Sequence, residues 1–155
     1  MSQLSQSLRD AFASEYRNRA TELHKWVDPL TEGQFWRNPF SYSNSVGHLV
    51  LHLTGNLSYY VGARIAQTGY VRNRDLEFTE SRKPSKAEVL HKFDQAISVV
   101  IATIEKQSDS DWVAPYTADR EPESKDRVTL FLRCASHFYH HIGQIIYLSR
   151  ELRKS

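Results

Sequence analysis

Histidine is the residue of this chain with the clearest potential for chemistry, at seven of 155 residues. Five of the seven lie in two groups, with His48 and His52 in one and His137, His140 and His141 in the other. Each group contains two histidines four residues apart, and side chains at that spacing share one face of an α-helix. Two imidazoles on one face can bind the same metal ion. The spacing indicates candidate metal ligands, and the alternative is a set of polar residues at the edge of a helical core.

The three histidines of the second group lie on different faces of their predicted helix. At about 100° per residue, the apolar stripe around this group centres between Phe138 and Ile142. His137 and His141 fall on one flank of that stripe, whereas His140 falls nearly opposite it. We therefore predict that His137 and His141 face a cleft between helices and that His140 faces solvent or a partner.

The first group repeats this arrangement on another predicted helix. His52 lies on the flank of its apolar stripe, whereas His48 lies nearly opposite the stripe. His52 together with His137 and His141 would form a three-imidazole site with open positions, the pattern of catalytic metal sites. Cys134, one turn before His137, is a fourth ligand, a reactive thiol near the site or a small buried side chain. Spacing alone does not bring the two groups together in space, so the polar alternative stays open.

The segments that must position these side chains are predicted to be helical. Apolar residues recur at helical spacing over residues 3–27, about 45–65, about 86–104 and 127–152. Ser85 and Glu88 form the capping-box pattern that starts the third of these helices. Four helices of similar length predict an all-α four-helix bundle, built as a single domain over residues 1–155. The connectors between the helices are predicted to be loops.

Composition and charge exclude several classes of protein. Lys and Arg number 20 against 18 Asp and Glu, so the net charge of +2 gives no electrostatic reason to expect nucleic-acid binding. One cysteine excludes an intramolecular disulfide and a cysteine-based zinc finger. No apolar run reaches membrane-spanning length and no signal peptide begins the chain, so we expect a cytoplasmic protein without membrane contact. Residues 72–78 mix both signs of charge, which favours a loop held by arginine–carboxylate pairs over a phosphate site.

Three motifs resemble elements of one known superfamily. Residues 52–56, His-Leu-Thr-Gly-Asn, resemble the His-Leu-x-Gly-Asn element of the DinB-like (DinB/YfiT) superfamily. Residues 137–144 resemble its fourth-helix motif, His-x-x-x-His-x-Gly-Gln. Residues 72–78 resemble the Arg-Asn-Arg-Asp-x-Glu-Phe stretch of one uncharacterised branch. The resemblance extends over about residues 5–150, almost the whole chain.

The resemblance implies an up-down-down-up four-helix bundle that binds a divalent metal, nickel or zinc, and forms a homodimer. The family's three histidine ligands correspond to His52, His137 and His141. Characterised members include S-transferases that use a low-molecular-weight thiol. We therefore expect a metal-dependent enzyme that activates a thiol or water for transfer to a small electrophilic substrate. The alternatives are a metal-dependent hydrolase and a non-catalytic metal-binding or stress-response dimer.

Overall fold

The computed structural model describes residues 1–154, and all the regular secondary structure in that range is helical. No helix within residues 1–154 is both long and apolar enough to cross a membrane. The helices are α1 (Gln3–Val27), α2 (Glu32–Trp36), α3 (Val46–Leu57) with a π-helical continuation (Ser58–Ala63), α4 (Leu76–Thr79), α5 (Lys86–Glu105), α6 (Asp109–Trp112) and α7 (Arg127–Leu152).

The four longer helices begin where the sequence supplies a capping side chain. Ser2, Ser45, Ser85 and Asp126 each accept a hydrogen bond from a backbone N–H of the first turn, which has no partner within its own helix. The capping box predicted at Ser85 is present, since the Glu88 side chain also accepts the Ser85 backbone N–H. The predicted bounds of α1 and α7 agree with the structure.

The connectors differ from the prediction, because each of the three contains one short helix. Helices α2, α4 and α6 are only four or five residues long, too short to show an apolar repeat. A second difference is that the helix predicted over about residues 45–65 widens into a π-helical turn at Ser58. Capping boxes at Thr31 and Ser108 start α2 and α6, and these were the local signals for two of the short helices.

Helix α1 packs against α5 and α7, and α3 packs against the same two helices. Arg17 pairs with Glu105 at the end of α5, whereas His24 near the end of α1 contacts Asp94, so α1 and α5 run in opposite directions. Helices α1 and α7 run in the same direction, because the Tyr16 hydroxyl donates to the carbonyl of Phe131 and Arg150 lies over the ring of Trp26.

The core between these helices contains the apolar stripes predicted from the sequence. Phe138 of α7 is fully buried, with its ring 5.7 Å from Phe93 of α5 and 6.5 Å from Tyr16 of α1. Ile142, one turn further along α7, is also buried. Because these residues face the core, the neighbouring flank of α7 is turned towards α3.

Candidate metal centre

Three imidazoles meet between α3 and α7. The Nε2 atom of His137 lies 3.0 Å from Nε2 of His52 and 3.1 Å from Nε2 of His141. One ligand atom from each residue lies within 4.8 Å of the other two. The structure thus brings together the three histidines predicted as ligands, although His52 stands 85 residues before His137.

Two of these rings form a hydrogen bond through Nδ1 to a side-chain oxygen. Nδ1 of His52 lies 2.7 Å from Oε2 of Glu77, and Nδ1 of His141 lies 2.7 Å from Oε1 of Gln144. Both oxygens are acceptors, so each Nδ1 carries the proton in the tautomer that satisfies these contacts. The Nε2 atoms of His52 and His141 therefore point their lone pairs at the centre of the cluster.

The hydrogen bonding of His137 leaves the cluster incompletely satisfied without a cation. The Nδ1 atom of His137 is buried and has no hydrogen-bond partner in the described part of the chain. If Nε2 of His137 carries the proton, this N–H can donate a hydrogen bond to the Nε2 lone pair of either His52 or His141, but not to both at once. Metal–imidazole bonds of about 2.0–2.1 Å in a tetrahedral site separate the nitrogens by about 3.3 Å, close to the two separations of 3.0 and 3.1 Å that involve His137. The donor atoms therefore fit a divalent cation.

Burial keeps His137 and His141 in the form that a metal requires. Loss of solvation, together with the neighbouring His141 and His52, lowers the pKa of His137 to about 3. Burial also lowers the pKa of His141 to about 4, although the hydrogen bond with Gln144 opposes the shift. Both rings are consequently neutral at pH 7, and neutral imidazole is the species that binds metal.

Glu77, the partner of His52, is itself held by Arg72. Arg72 Nε lies 2.6 Å from Oε1 of Glu77 and Arg72 Nη2 lies 2.9 Å from Oε2, a two-point contact between nearly buried side chains. Burial raises the pKa of Glu77, but hydrogen bonds from His52 and Arg72 outweigh it, and the net shift is downward. The carboxylate therefore stays ionised behind His52, the arrangement that orients imidazole ligands in metal sites. The pair is also of the arginine–carboxylate kind predicted for this loop.

Gly55, one turn after His52, makes room for this carboxylate. A Cβ atom at position 55 would lie 2.0 Å from Oε1 and 2.7 Å from Cδ of Glu77, so only glycine lets the buried side chain approach α3 this closely. The ring of Phe78, next to Glu77 in α4, lies 4.7 Å from the ring of His52 and covers it. The His-Leu-Thr-Gly motif thus combines a candidate ligand with the space that its supporting residue needs.

The remaining candidates of the sequence analysis lie outside the cluster. His140 is exposed, as predicted, although its ring is 4.9 Å from that of His141. His48, placed opposite the apolar stripe, is half-buried because the loop before α5 covers it, and its Nε2 lies 3.2 Å from the carbonyl oxygen of Glu80. Cys134 is buried outside the three-histidine group, and burial raises the pKa of its thiol to about 12. Its role is therefore that of a small buried side chain.

Sequence reasoning did not assign Glu77 or Gln144 to the site. Gln144 follows His141 by three residues, which is a spacing of neighbours on one helical face, so a local signal existed. Glu77 lies 25 residues from His52 in a connector, and no periodicity links the two. Only the path of the chain through this connector brings them into contact.

Comparison with known proteins gives one result. A family model described as a protein of unknown function (DUF1572) matches residues 3–155. No curated protein and no solved structure gives a significant match to the chain. The matched range contains the three histidines and both supporting side chains. The chain therefore belongs to the DUF1572 family, which is part of the DinB-like family.

Proposed function

We propose that this protein is a metal-dependent enzyme that transfers a low-molecular-weight thiol to a small electrophilic substrate. His52, His137 and His141 would hold one divalent cation, nickel or zinc. The observation that carries the proposal is the convergence of three Nε2 atoms, with two of the rings held at Nδ1 by other side chains. The choice of metals and the thiol chemistry follow from the resemblance of the motifs to DinB-like proteins, including the branch with the Arg-Asn-Arg-Asp-x-Glu-Phe loop.

The residues of the chain have distinct parts in this proposal. Glu77 and Gln144 fix the orientation of two rings, and burial lowers the pKa of His137 and His141 so that both are neutral. A divalent cation held by these residues would lower the pKa of a thiol or water molecule that it binds, and so would supply a nucleophile near neutral pH. The buried Cys134, with its raised pKa, is unsuited to serve as the nucleophile. This favours a thiol supplied as a separate small molecule.

We also propose that residues 1–155 form a single up-down-down-up four-helix bundle. The opposite directions of α1 and α5 and the common direction of α1 and α7 support this topology. The direction of α3 is supported by contacts of its π-helical continuation with the segment before α7. There the Tyr60 hydroxyl donates to the carbonyl of Asp119, and the Tyr116 hydroxyl donates to the carbonyl of Tyr60.

A homodimer is part of the same proposal. Leu132, Tyr139 and Tyr147 are large apolar side chains that stay exposed on one face of α7. A second copy packed on this face would bury them. Sedimentation equilibrium of the wild type should give twice the mass of the chain, and Tyr147→Glu should shift the protein towards monomer. A wild-type monomer at micromolar concentration would contradict the proposal.

Elemental analysis tests the metal site directly. Protein purified with nickel or zinc should hold about one ion per chain, and His52→Ala, His137→Ala and His141→Ala should each lose most of it. His140→Ala is the matched control, because this histidine is adjacent in sequence but exposed, and its variant should keep its metal. Equal loss from His140→Ala, or a wild type without metal, would contradict the assignment.

A thiol-transfer assay tests the reaction. The wild type should accelerate consumption of a chromogenic electrophile such as 1-chloro-2,4-dinitrobenzene by a small thiol, and the His137→Ala variant should not. Three imidazoles are also a donor set on which zinc activates water, so hydrolysis is the second candidate. Cleavage of a nitrophenyl ester without added thiol would favour it. Bound metal without either activity would favour the non-catalytic alternative.

A further inference from the structure

A cavity of about 600 Å³ is lined in part by Glu77 but by none of the three imidazoles. Its walls come from α3, from residues 68–80 and from α5. Gly55 and Glu77 belong to these walls, whereas the three histidines do not. The volume falls in the range of about 300–1,000 Å³ that is typical of small-molecule sites. The cavity is thus separate from the candidate metal centre and shares one side chain with it.

The deeper walls of the cavity are largely apolar. Leu51 from α3 and Ala96 and Val99 from α5 are half-buried or buried, and they line it together with Leu76 of α4. Leu76 is 46% exposed, so the cavity opens to solvent beside an apolar side chain that its neighbours cover only in part. An apolar molecule would gain roughly 25 cal/mol for each Å² of apolar surface that it buries there.

The charged side chains that line the cavity are Glu77, Glu80 and Lys92, and of these only Lys92 forms no ion pair within 4.0 Å in the described part of the chain. Glu77 pairs with Arg72, and Glu80 pairs with Arg82 at 2.8 Å. The ammonium group of Lys92, which lines the cavity from α5, has no carboxylate within 4.0 Å among residues 1–154. The charge of Lys92 stabilises the carboxylate of Glu88, one turn earlier on α5, but Glu88 does not line the cavity. The cavity therefore combines apolar walls with one ammonium group that no described carboxylate holds in an ion pair.

We propose that this cavity binds a small amphipathic anion, with its apolar part against α3 and α5 and its carboxylate or sulfonate beside Lys92. Gln95, one turn from Lys92, also lines the cavity and supplies an amide for a hydrogen bond. The chemical class is that of a medium-chain carboxylic acid or an aryl sulfonate. This proposal does not depend on the proposed enzymatic activity, because none of the lining residues is a candidate metal ligand.

The test uses a fluorescent aryl sulfonate, 8-anilinonaphthalene-1-sulfonate, with the full chain in the presence of EDTA. The probe should bind at one saturable site per chain. Octanoate should displace it at lower concentration than octanol, and octylammonium should be the weakest competitor. The three competitors share one apolar chain and differ in the charge of the head group, so their order reports on Lys92. Because metal is removed, failure here is distinguishable from failure of the metal-site proposal.

Two pairs of variants locate the probe. Gln95→Trp fills the cavity and should abolish binding, whereas Ser98→Trp, at an exposed position of α5 outside the cavity, should bind as the wild type does. Lys92→Gln should weaken octanoate binding about fivefold, the value of a partly exposed ion pair, and Lys83→Gln should not. Circular dichroism confirms that each variant is folded. Equal binding by Gln95→Trp and Ser98→Trp, or equal displacement by octanoate and octylammonium, would overturn the proposal.

Discussion

Replacing Glu77 with glutamine tests the support behind the metal centre. The substitution Glu77→Gln preserves the size of the side chain and an oxygen that can accept a hydrogen bond from His52. It removes the charge that holds both His52 and Arg72. Two consequences follow, one for the stability of the fold and one for the affinity for metal.

The magnitude follows from the burial of the ion pair. The side chains of Arg72 and Glu77 are 10% and 6% exposed, so solvent screens their interaction weakly. Removing one partner of a buried pair costs about 3–5 kcal/mol, because the other charge remains buried without compensation. The ring of Tyr60, 5.5 Å from the Arg72 guanidinium, offsets part of this loss, so we expect about 3 kcal/mol. Loss of the carboxylate behind a metal-binding histidine weakens binding about 10- to 100-fold.

Two assays measure these effects separately. Urea unfolding of the metal-free protein at pH 7 gives the change in the free energy of unfolding. Competition with a chromophoric chelator gives the affinity for zinc or nickel. Glu80→Gln is the matched control, since Glu80 is a buried carboxylate of the same connector that pairs with Arg82 and not with an imidazole of the cluster. Its metal affinity should equal that of the wild type.

A double variant checks the cause of the destabilisation. Arg72→Met combined with Glu77→Gln removes both charges, so it should be more stable than Glu77→Gln alone. If Glu77→Gln is destabilised but binds metal as tightly as the wild type, Glu77 only supports the loop and does not orient His52. If its stability is unchanged, the buried pair contributes nothing and the reasoning from burial is wrong.

Three further predictions concern other side chains. Gly55→Ala should lose metal affinity as Glu77→Gln does, because the new Cβ displaces the carboxylate, whereas Gly143→Ala, with no atom within 4 Å of its Cβ, should raise stability by up to about 1 kcal/mol. Chelator competition and thermal melts measure the two effects, and equal metal affinities would contradict the steric argument. Burial opposes the charge on His24, but hydrogen bonds to two aspartates outweigh it and raise its pKa. The contribution of His24 to the free energy of unfolding is therefore complete below its pKa of about 6.5 in the unfolded chain. This contribution disappears as the pH rises through the higher pKa of the folded protein. His24→Gln should accordingly lose more stability at pH 5.5 than at pH 9 in urea unfolding, and an equal loss would refute this. Cys134 should react with a disulfide reagent at pH 8 only when urea unfolds the protein, because burial raises its pKa to about 12, and rapid labelling of the native state would refute its burial.

The parts of the fold that sequence could predict are those specified by neighbouring residues. The apolar stripes and capping side chains of α1, α5 and α7 lie within the helices that they define, so their bounds could be predicted closely. The pairing of His137 with His141 is local in the same sense, because one helical turn separates them. The short helices α2, α4 and α6 escaped prediction, since a single turn has no periodicity to detect.

The sequence by itself determined which side chains lie on the flanks of their helices, because the 3.6-residue repeat places every residue relative to the apolar stripe. It identified His52, His137 and His141 as candidates and left His140 on the outside. Only the tertiary structure decided that α3 and α7 lie close enough for these rings to meet, and that the connector after α3 carries Glu77 back to His52. Contacts between residues far apart in the chain depend on how whole helices pack, and packing is set by the combined burial of many side chains. No local pattern of residues encodes it.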